Sequence, residues 1–304
     1  MRLDGIHHVT CITADAPRNV DFYTRVLGLR LVKKTVNQDD PTVYHLFYAD
    51  EEGHAGSDIT FFEYPNARLG QAGDGMIHTV VWRVGSTDAL EFWAGRLSAE
   101  GHEVEADGES LRFGNTEGLQ HQLVVSHVDD EPLVARNPEI PQEHALQGFE
   151  GVQAFGEPSA EFLSALGFEQ QEGRWDTRAE TRGGWIEYAE SPQAPGIGGA
   201  GTVHHVAFAS PTDEHDAWQR RVAEAGAHPT PVIDRFYFKS IYFREPSRVL
   251  FEIATLGPGF ATDEDPEHLG ERLSLPPNFE RLRPQLERTL TPLPDPRAAQ
   301  EATA

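Results

Sequence analysis

Two histidine pairs lie far apart in the chain but in similar surroundings. His7 and His8 belong to GIHHVT, and His204 and His205 belong to TVHHVAF. Both stretches alternate apolar and polar residues as β-strands do, and adjacent side chains of a regular strand point to opposite faces. At most one histidine of each pair therefore faces a shared cavity unless a bulge intervenes. His8 and His205 occupy matching positions in the two strands, so they can face the same cavity. The sequence thus predicts a site with two imidazoles.

A third ligand is predicted in the apolar run RVLFEIATL, which contains Glu252. A carboxylate in such a strand is costly to bury unless it is paired or bound to a cation. Two histidines and one carboxylate form the facial triad typical of non-haem Fe(II) oxygenases, which leaves adjacent positions for substrate and dioxygen. The spacing thus predicts a metal centre of His8, His205 and Glu252.

The strand before Glu252 contributes a phenol. Counting outward from the turn at Pro246 and Ser247 in SIYFREPSRVLFEIA places Tyr242 opposite Glu252 to within one residue. From there Tyr242 can donate a hydrogen bond to the carboxylate or to a bound oxygen.

The other strand histidines are less convincing as ligands, because a lone histidine in a strand is more often a packed core residue than a metal ligand. His78, His45 and His121 are therefore predicted to be structural. His144 and Glu63 are weaker candidates for pocket residues.

Two patterns that resemble functional motifs are given structural interpretations. GIGGAG, residues 196–201, has dinucleotide-binding spacing but precedes a strand, whereas that motif links a strand to a helix. A flexible loop is the better interpretation. Cys11 lies on the strand face opposite His8, so we expect core packing and not a nucleophile.

The elements that position these residues form a repeat. A strand, a helix and three further strands recur from near residues 5, 75, 149 and 202. In the first copy Asp15 can cap the helix, Pro17 lies in its first turn and Gly28 ends it. The predicted fold class is α+β, with four βαβββ modules.

The loops between modules suggest a division into two paired-module domains. Modules 1 and 2 would form an N-terminal domain over residues 1–128, followed by a linker over 129–147. Modules 3 and 4 would form a C-terminal domain over 148–260, and residues 261–304 would be a C-terminal extension. From about Pro292 the tail has too little apolar content for an ordered structure to be expected.

Composition excludes several classes of partner. The 304 residues include 49 acidic and 25 Lys or Arg residues, for a net charge of -24. Such a charge repels nucleic acid and anionic membranes, and it is also a feature of halophilic proteins. One cysteine, no signal segment and no apolar run of membrane-spanning length predict a soluble cytoplasmic protein. A homo-oligomer is compatible with these numbers.

The repeat resembles the vicinal oxygen chelate superfamily, which includes glyoxalase I, extradiol dioxygenases and bleomycin-resistance proteins. A narrower similarity links this chain to the hydroquinone-type ring-cleaving dioxygenases, such as 2,6-dichlorohydroquinone 1,2-dioxygenase. The sequences that support it are GIHHVT, LGLRLVKKTVNQDDPTVYHLFYAD, TVHHVAFA, DRFYFKSIYFREPSRVLFEIAT and GPGFATDED.

The resemblance implies a reaction and a set of pocket residues. It implies Fe(II), or Mn(II) in its place, held by His8, His205 and Glu252. It further implies that a hydroquinone-like or catechol-like diol and O2 are the substrates. The pocket residues that it implies are His7, Thr10, His204, Arg235 and Tyr242. Among these, His204 is expected to be the general acid/base, and Tyr242 is expected to orient the diol. Arg235 or a histidine is expected to balance the charge of the deprotonated diol.

Two alternatives remain at this point. A metal-dependent glyoxalase or isomerase of the same fold would usually use a fourth ligand. A metal-free protein that sequesters a small ligand would not need to retain His8, His205 and Glu252.

Overall fold

The computed structural model describes residues 1–293 and 295–297. Its strands are β1 (Ile6–Thr13), β2 (Arg30–Val36), β3 (Tyr44–Ala49), β4 (Asp58–Glu63), β5 (Ile77–Val84), β6 (Val104–Asp107), β7 (Ser110–Gly114), β8 (Gln120–Val125), β9 (Phe149–Phe155), β10 (Glu169–Gln171), β11 (Arg174–Arg178), β12 (Gly183–Ala189), β13 (Val203–Ser210), β14 (Ile233–Asp234), β15 (Lys239–Arg244) and β16 (Leu250–Thr255). Its α-helices are α1 (Ala16–Asp21), α2 (Thr87–Ala99), α3 (Ala160–Ala165), α4 (His215–Glu224) and α5 (Arg283–Thr289). No helix among these residues is both long and apolar enough to cross a membrane.

The four βαβββ modules predicted from the sequence are confirmed, and with them the α+β class. Asp15 caps α1 by accepting a hydrogen bond from the Arg18 amide at 3.1 Å, as its position before the helix predicts. The helix continues as a π-helical turn over Phe22–Val26, and Gly28 then takes a left-handed φ of 73° that ends it.

One strand of module 4 is very short. The run AHPTPVIDRF forms only the two residues of β14. Pro229 and Pro231 have no backbone N–H to donate to a sheet, which confines pairing to the residues after them.

The strands form two curled eight-stranded sheets, which we call the first and second sheet. The first has the order β14-β15-β16-β13-β1-β4-β3-β2, and the second has the order β10-β11-β12-β9-β5-β8-β7-β6. Module 1 therefore shares a sheet with module 4, and module 2 shares one with module 3. The predicted domains group modules 1 with 2 and 3 with 4, whereas the sheets group the modules differently, because β1 bonds antiparallel to β13 and β5 to β9. The residue boundaries given to the two domains stay a prediction.

The predicted C-terminal extension covers part of the first sheet. Ser274 donates its amide to the Lys34 carbonyl of β2, and Leu269 belongs with Val32 and Phe47 to a small apolar cluster separate from the main core. The sequence predicts no ordered structure from about Pro292 onward. Of these residues, Pro294 and residues 298–304 lie outside the described residues.

The segment predicted as a linker, 129–147, is joined to the second sheet by an ion-pair cluster. Asp130 accepts hydrogen bonds from Arg83 and Arg178, and its side chain is only 4% exposed. Burial opposes ionisation of Asp130, but the two guanidinium groups lower the pKa of its carboxyl to about 2.

We predict that this cluster makes stability depend on acid pH. An unfolded aspartyl group has a pKa of about 3.9, so the ionised carboxylate contributes stability at neutral pH that is lost as the pH falls from about 4 to about 2. The contribution at neutral pH is about 2–3 kcal/mol. Urea unfolding of Asp130→Asn should show a lower free energy of unfolding at pH 7 and a smaller loss between pH 6 and 3. Parallel pH curves for the variant and the natural protein would contradict the assignment.

Candidate metal centre

The two histidine pairs lie at bulges in the two central strands of the first sheet. Ile6 and His8 pair with Phe208 and Ala207, so His7 is an extra residue in β1. His204 is the extra residue of β13 in the same way, because its neighbours His205 and Val203 pair with Thr10 and Cys11. A bulge cancels the alternation of a regular strand. Both histidines of each pair can therefore lie on the same side, the case that the sequence analysis left open.

The predicted ligands His8, His205 and Glu252 converge on one point. The Nε2 atoms of His8 and His205 are 3.3 Å apart, and Glu252 Oε2 lies 3.2 Å from the first and 2.8 Å from the second. All three side chains are buried. Their strands β1, β13 and β16 are neighbours in the sheet, which fixes the separation of the three ligands.

The environment of Glu252 fits a bound cation. Its side chain is 0% exposed, and neither carboxylate oxygen has a hydrogen-bond partner of good geometry among the described residues. Burial opposes ionisation of Glu252, but His8 and His205 lower the pKa of its carboxyl well below the usual range. Burial lowers the pKa of His205, which favours the neutral imidazole. An ionised carboxylate and neutral imidazoles are the forms that bind metals.

His7 determines which nitrogen of His8 is available to a metal. The His7 Nε2 atom lies 3.2 Å from the Thr255 carbonyl oxygen, which can only accept, so Nε2 carries the proton. Burial lowers the pKa of His7 to about 3, and its neutral ring leaves Nδ1 as an acceptor. His8 Nδ1, 2.9 Å away, therefore donates to His7. The lone pair of His8 Nε2 is left to face Glu252, and the contact with His7 fixes the orientation of the His8 ring.

His204 repeats this arrangement on the other strand. Its Nδ1 atom lies 2.8 Å from the Nδ1 atom of His205, so the two pairs are related by the same bulge and the same contact. Unlike His7, His204 is exposed, and its ring packs edge-on to Phe62 at 5.7 Å. The contact with His205 uses Nδ1 and leaves His204 Nε2 without a hydrogen-bond partner among the described residues.

A small cavity of about 40 Å³ lies beside His8 and His205, and its lining includes Thr10, Arg235 and Tyr242. Tyr242 lies directly opposite Glu252 in the β15–β16 pairing, so the register predicted from the hairpin is confirmed. The Arg235 guanidinium lies 5.4 Å above the Tyr242 ring and forms two parallel hydrogen bonds to Asp39, at 3.0 and 2.9 Å. The structure thus brings seven of the eight predicted site residues to the metal centre or this cavity, and His204 to its edge.

Some pocket residues were missed by the sequence analysis. His45 was predicted to be structural but lines the cavity, where its Nε2 atom contacts the Thr60 hydroxyl at 2.8 Å, and Thr60 bonds Thr10 at 3.0 Å. The alternation of side-chain directions along β3 could have indicated that His45 faces the cavity. Phe238 packs on the rings of both His7 and His8, with centroids 5.1 and 5.2 Å away. It lies in a loop, where no periodicity points to it.

The remaining candidates lie elsewhere. His121 is fully buried between Tyr23 and Trp82, as a structural residue should be, and His78 stacks on Phe155 in the second sheet. His144 packs on Phe92 of α2, outside the cavity.

Two further side chains support the fold. Glu63 accepts from the Ala16 amide at the start of α1, and Cys11 is buried in the main core.

The second sheet has the same two bulges but no comparable ligand set among the described residues. By strand pairing, Thr79, Gly151 and Glu187 occupy the places of His8, His205 and Glu252. A Cβ atom at Gly151 would lie 2.2 Å from the Trp185 ring, so this position can hold only glycine under that side chain. Glu187 instead accepts a hydrogen bond from Gln153 at 2.8 Å.

The chain is similar to known proteins of one superfamily. The chain matches the Glyoxalase/Bleomycin resistance protein/Dioxygenase superfamily over residues 5–119 and 148–253. It is 38% identical to a Bacillus subtilis (strain 168) protein named "Putative ring-cleaving dioxygenase MhqA", over 96% of this chain and 100% of that protein. It is 32% identical to the "Chlorohydroquinone/hydroquinone 1,2-dioxygenase" of Sphingobium indicum, over 95% of this chain and 96% of that one.

Solved structures show the same fold. A crystal structure titled as a putative dioxygenase from Bacillus subtilis superposes with a TM-score of 0.88 at 39% identity, covering 96% of this chain and 98% of that one. Glyoxalase I from Zea mays has a TM-score of 0.55 at 12% identity, covering 83% and 92%, and shares the fold alone. The chain belongs to the Glyoxalase/Bleomycin resistance protein/Dioxygenase superfamily, and its relatives within that family are named ring-cleaving dioxygenases.

Proposed function

We propose that this protein is a non-haem Fe(II)-dependent ring-cleaving dioxygenase of the extradiol type. Its substrate would be a hydroquinone-like or catechol-like aromatic, into which both atoms of O2 are inserted in the degradation of aromatic compounds. The observation that carries the proposal is the buried cluster of His8, His205 and Glu252 beside a cavity lined by an arginine and a tyrosine. Mn(II) could serve in the same ligand set.

When bound, the metal would supply a place where the diol oxygen and O2 meet and through which electrons pass between them. The chain's own residues would position the substrate and its protons. Arg235 would balance the negative charge of a deprotonated hydroxyl, and the Tyr242 hydroxyl would donate to a substrate oxygen.

His204 is the proposed general acid/base. Its Nδ1 atom faces His205, which leaves Nε2 to take a proton from a substrate hydroxyl and return it to the ring-opened product. His7 is buried and bonded at both ring nitrogens, which suits it to holding His8 in place more than to moving protons.

Two measurements distinguish the dioxygenase from a glyoxalase or isomerase and from a metal-free sequestering protein. The first is the metal content of anaerobically purified protein, and the second is its oxygen uptake with hydroquinone, methylhydroquinone and catechol. Iron-dependent oxygen consumption supports the dioxygenase. Bound zinc without oxygen uptake would favour the glyoxalase or isomerase reading, and diol binding without metal would favour a sequestering protein.

Assay conditions need a salt series. The net charge of -24 is typical of proteins adapted to high salt, and Cys11 as the one cysteine is compatible with a reducing cytoplasm. Oxygen uptake should therefore be measured from low to molar salt.

Asp39 competes with an anionic substrate for Arg235, which gives a kinetic prediction. Asp39 is 72% exposed, so its ion pair is worth about 1 kcal/mol or less. Asp39→Asn should lower the KM for the diol by about two- to fivefold and leave kcat nearly unchanged, because the guanidinium no longer has to leave a carboxylate. Steady-state oxygen uptake checks this, and a raised KM would show that Asp39 instead holds Arg235 in its working position.

A further inference from the structure

The cavity beside the metal ligands has a second polar side, which comes from strands β2 and β3. Thr35 and His45 line this cavity together with the ligands His8 and His205. Thr35 pairs directly with His45 in the β2–β3 ladder, and paired residues of adjacent strands point to the same face of a sheet. We call these two residues the Thr35/His45 wall. No step of the proposed reaction uses them.

The ring of His45 is held in one orientation. Phe47 and Phe62 pack against it, with ring centroids 3.9 and 4.4 Å from the centroid of His45. The His45 Nε2 atom contacts the Thr60 hydroxyl at 2.8 Å, and Thr60 donates its own proton to Thr10 at 3.0 Å. Because a hydroxyl has only one proton, His45 Nε2 must be the donor to Thr60.

This contact determines what the other ring nitrogen of His45 can do. Burial lowers the pKa of His45 well below its usual range, so the ring is neutral and its one proton is on Nε2. The Nδ1 atom therefore carries a lone pair, and it has no hydrogen-bond partner among the described residues. Since His45 lines the cavity, this lone pair can accept a hydrogen bond from a ligand hydroxyl.

Thr35 contributes a complementary group. It is only 2% exposed, yet its hydroxyl has no hydrogen-bond partner of good geometry among the described residues. The Tyr237 hydroxyl is close to it, but Tyr237 donates its proton to Asp263 at 3.1 Å and therefore gives none to Thr35. Buried hydroxyl groups are rarely left unbonded, so an unpartnered one that lines a cavity indicates a polar atom of a ligand.

The wall and the metal ligands reach the same cavity from different strands. His8 lies on β1, and β3 and β2 are the second and third strands from it in the first sheet. Because that sheet is curled, all three strands contribute to the cavity lining. A small rigid ligand with a polar group at each end can therefore contact the metal ligands' side and the wall at once.

We propose that the Thr35/His45 wall binds the hydroxyl of the diol that does not coordinate the metal. This hydroxyl donates its proton to His45 Nδ1 and accepts a hydrogen bond from the Thr35 hydroxyl, so all three groups are satisfied. The inference rests on the proposed function and deepens it, because it assigns the second hydroxyl of the substrate to two residues. It also makes His45 a substrate-binding residue and not only a structural one.

The test compares two ligands that differ in the second hydroxyl. Hydroquinone and 4-methylphenol are similar in size, but only hydroquinone can form hydrogen bonds with the wall. Calorimetry without oxygen measures the affinity of the metal-loaded protein for each. The natural protein should bind hydroquinone about tenfold more tightly or better, because 4-methylphenol leaves both groups of the wall unpaired.

Substitutions in the wall should reduce this preference. Thr35→Val replaces the hydroxyl with a methyl group, and His45→Leu removes the acceptor nitrogen. Each should lower the ratio of the two affinities by about threefold or more. Thr35→Ser keeps the hydroxyl and should retain the ratio of the natural protein.

Thr79→Val is the matched control. Thr79 is also a buried threonine beside a histidine, with its hydroxyl 2.9 Å from His78 Nδ1, but it lies in the second sheet. This variant should leave the ratio unchanged, and every variant should keep the metal content of the natural protein.

Two results would overturn the wall and leave the proposed function intact. One is a ratio near one for the natural protein, and the other is an unchanged ratio in Thr35→Val or His45→Leu while hydroquinone still binds. Failure of hydroquinone to bind the metal-loaded natural protein would overturn both proposals.

Discussion

Replacing Glu252 with glutamine is expected to abolish metal binding. The substitution removes the single negative charge of the ligand set and keeps the volume of the side chain, so the strands around it need not move. Loss of a supporting contact to a metal ligand already costs about 10–100-fold in affinity, and loss of the anionic ligand itself should cost more than 100-fold. Metal content measured by mass spectrometry after anaerobic loading checks this.

Glu187→Gln is the matched control for that experiment. Glu187 occupies the place of Glu252 in the second sheet, pairs with Gln153 and has no histidine equivalent beside it. This variant should bind metal like the natural protein. Circular dichroism should show the same fold for both variants, and a Glu252→Gln protein that retains a full complement of metal would refute the ligand assignment.

Replacing Lys33 with methionine is expected to destabilise the protein by about 3–5 kcal/mol, the usual cost of removing one partner from a buried ion pair. The Lys33 side chain is 0% exposed and donates to the Phe260 carbonyl at 2.9 Å, to Asp263 at 2.8 Å and to Glu264. Glu264 is itself only 1% exposed, so the variant would leave a buried carboxylate with only the Arg272 guanidinium, 3.9 Å away, as a cation. Urea unfolding measures the loss.

Two companion variants show whether the ion pair is the cause. Lys34→Met changes the next residue, which is also buried but bonds only the Glu271 carbonyl, and should cost about 1 kcal/mol. Adding Glu264→Gln to Lys33→Met should recover part of the lost stability, because the unpaired charge is removed. Equal losses for Lys33→Met and Lys34→Met would contradict this account.

The Lys33 cluster also connects the C-terminal extension to the metal centre. Asp263 accepts a hydrogen bond from the Tyr237 hydroxyl at 3.1 Å, and Tyr237 is adjacent to Phe238, which packs on His7 and His8. Lys33→Met should therefore weaken metal binding as well as stability, although Lys33 is not a ligand.

The sequence by itself was enough to predict the four modules and the ligand set. Each depends on local information: the alternation of residues in a strand, the cap at Asp15, the turn that aligns Tyr242 with Glu252, and the cost of burying a carboxylate among apolar residues. These features depend on backbone geometry and solvation within a short stretch of chain, so the residues of that stretch are enough to predict them.

Only the tertiary structure decided how the modules pair and which histidines share a face. Pairing of module 1 with module 4 depends on contacts between residues about 200 positions apart in β1 and β13, which no local pattern encodes. The bulges at His7 and His204 arise from the register of those same two strands. Asp39 and Phe238 reach the cavity beside the ligands from loops, so their positions follow from packing across the molecule, which the order of residues along one strand does not contain.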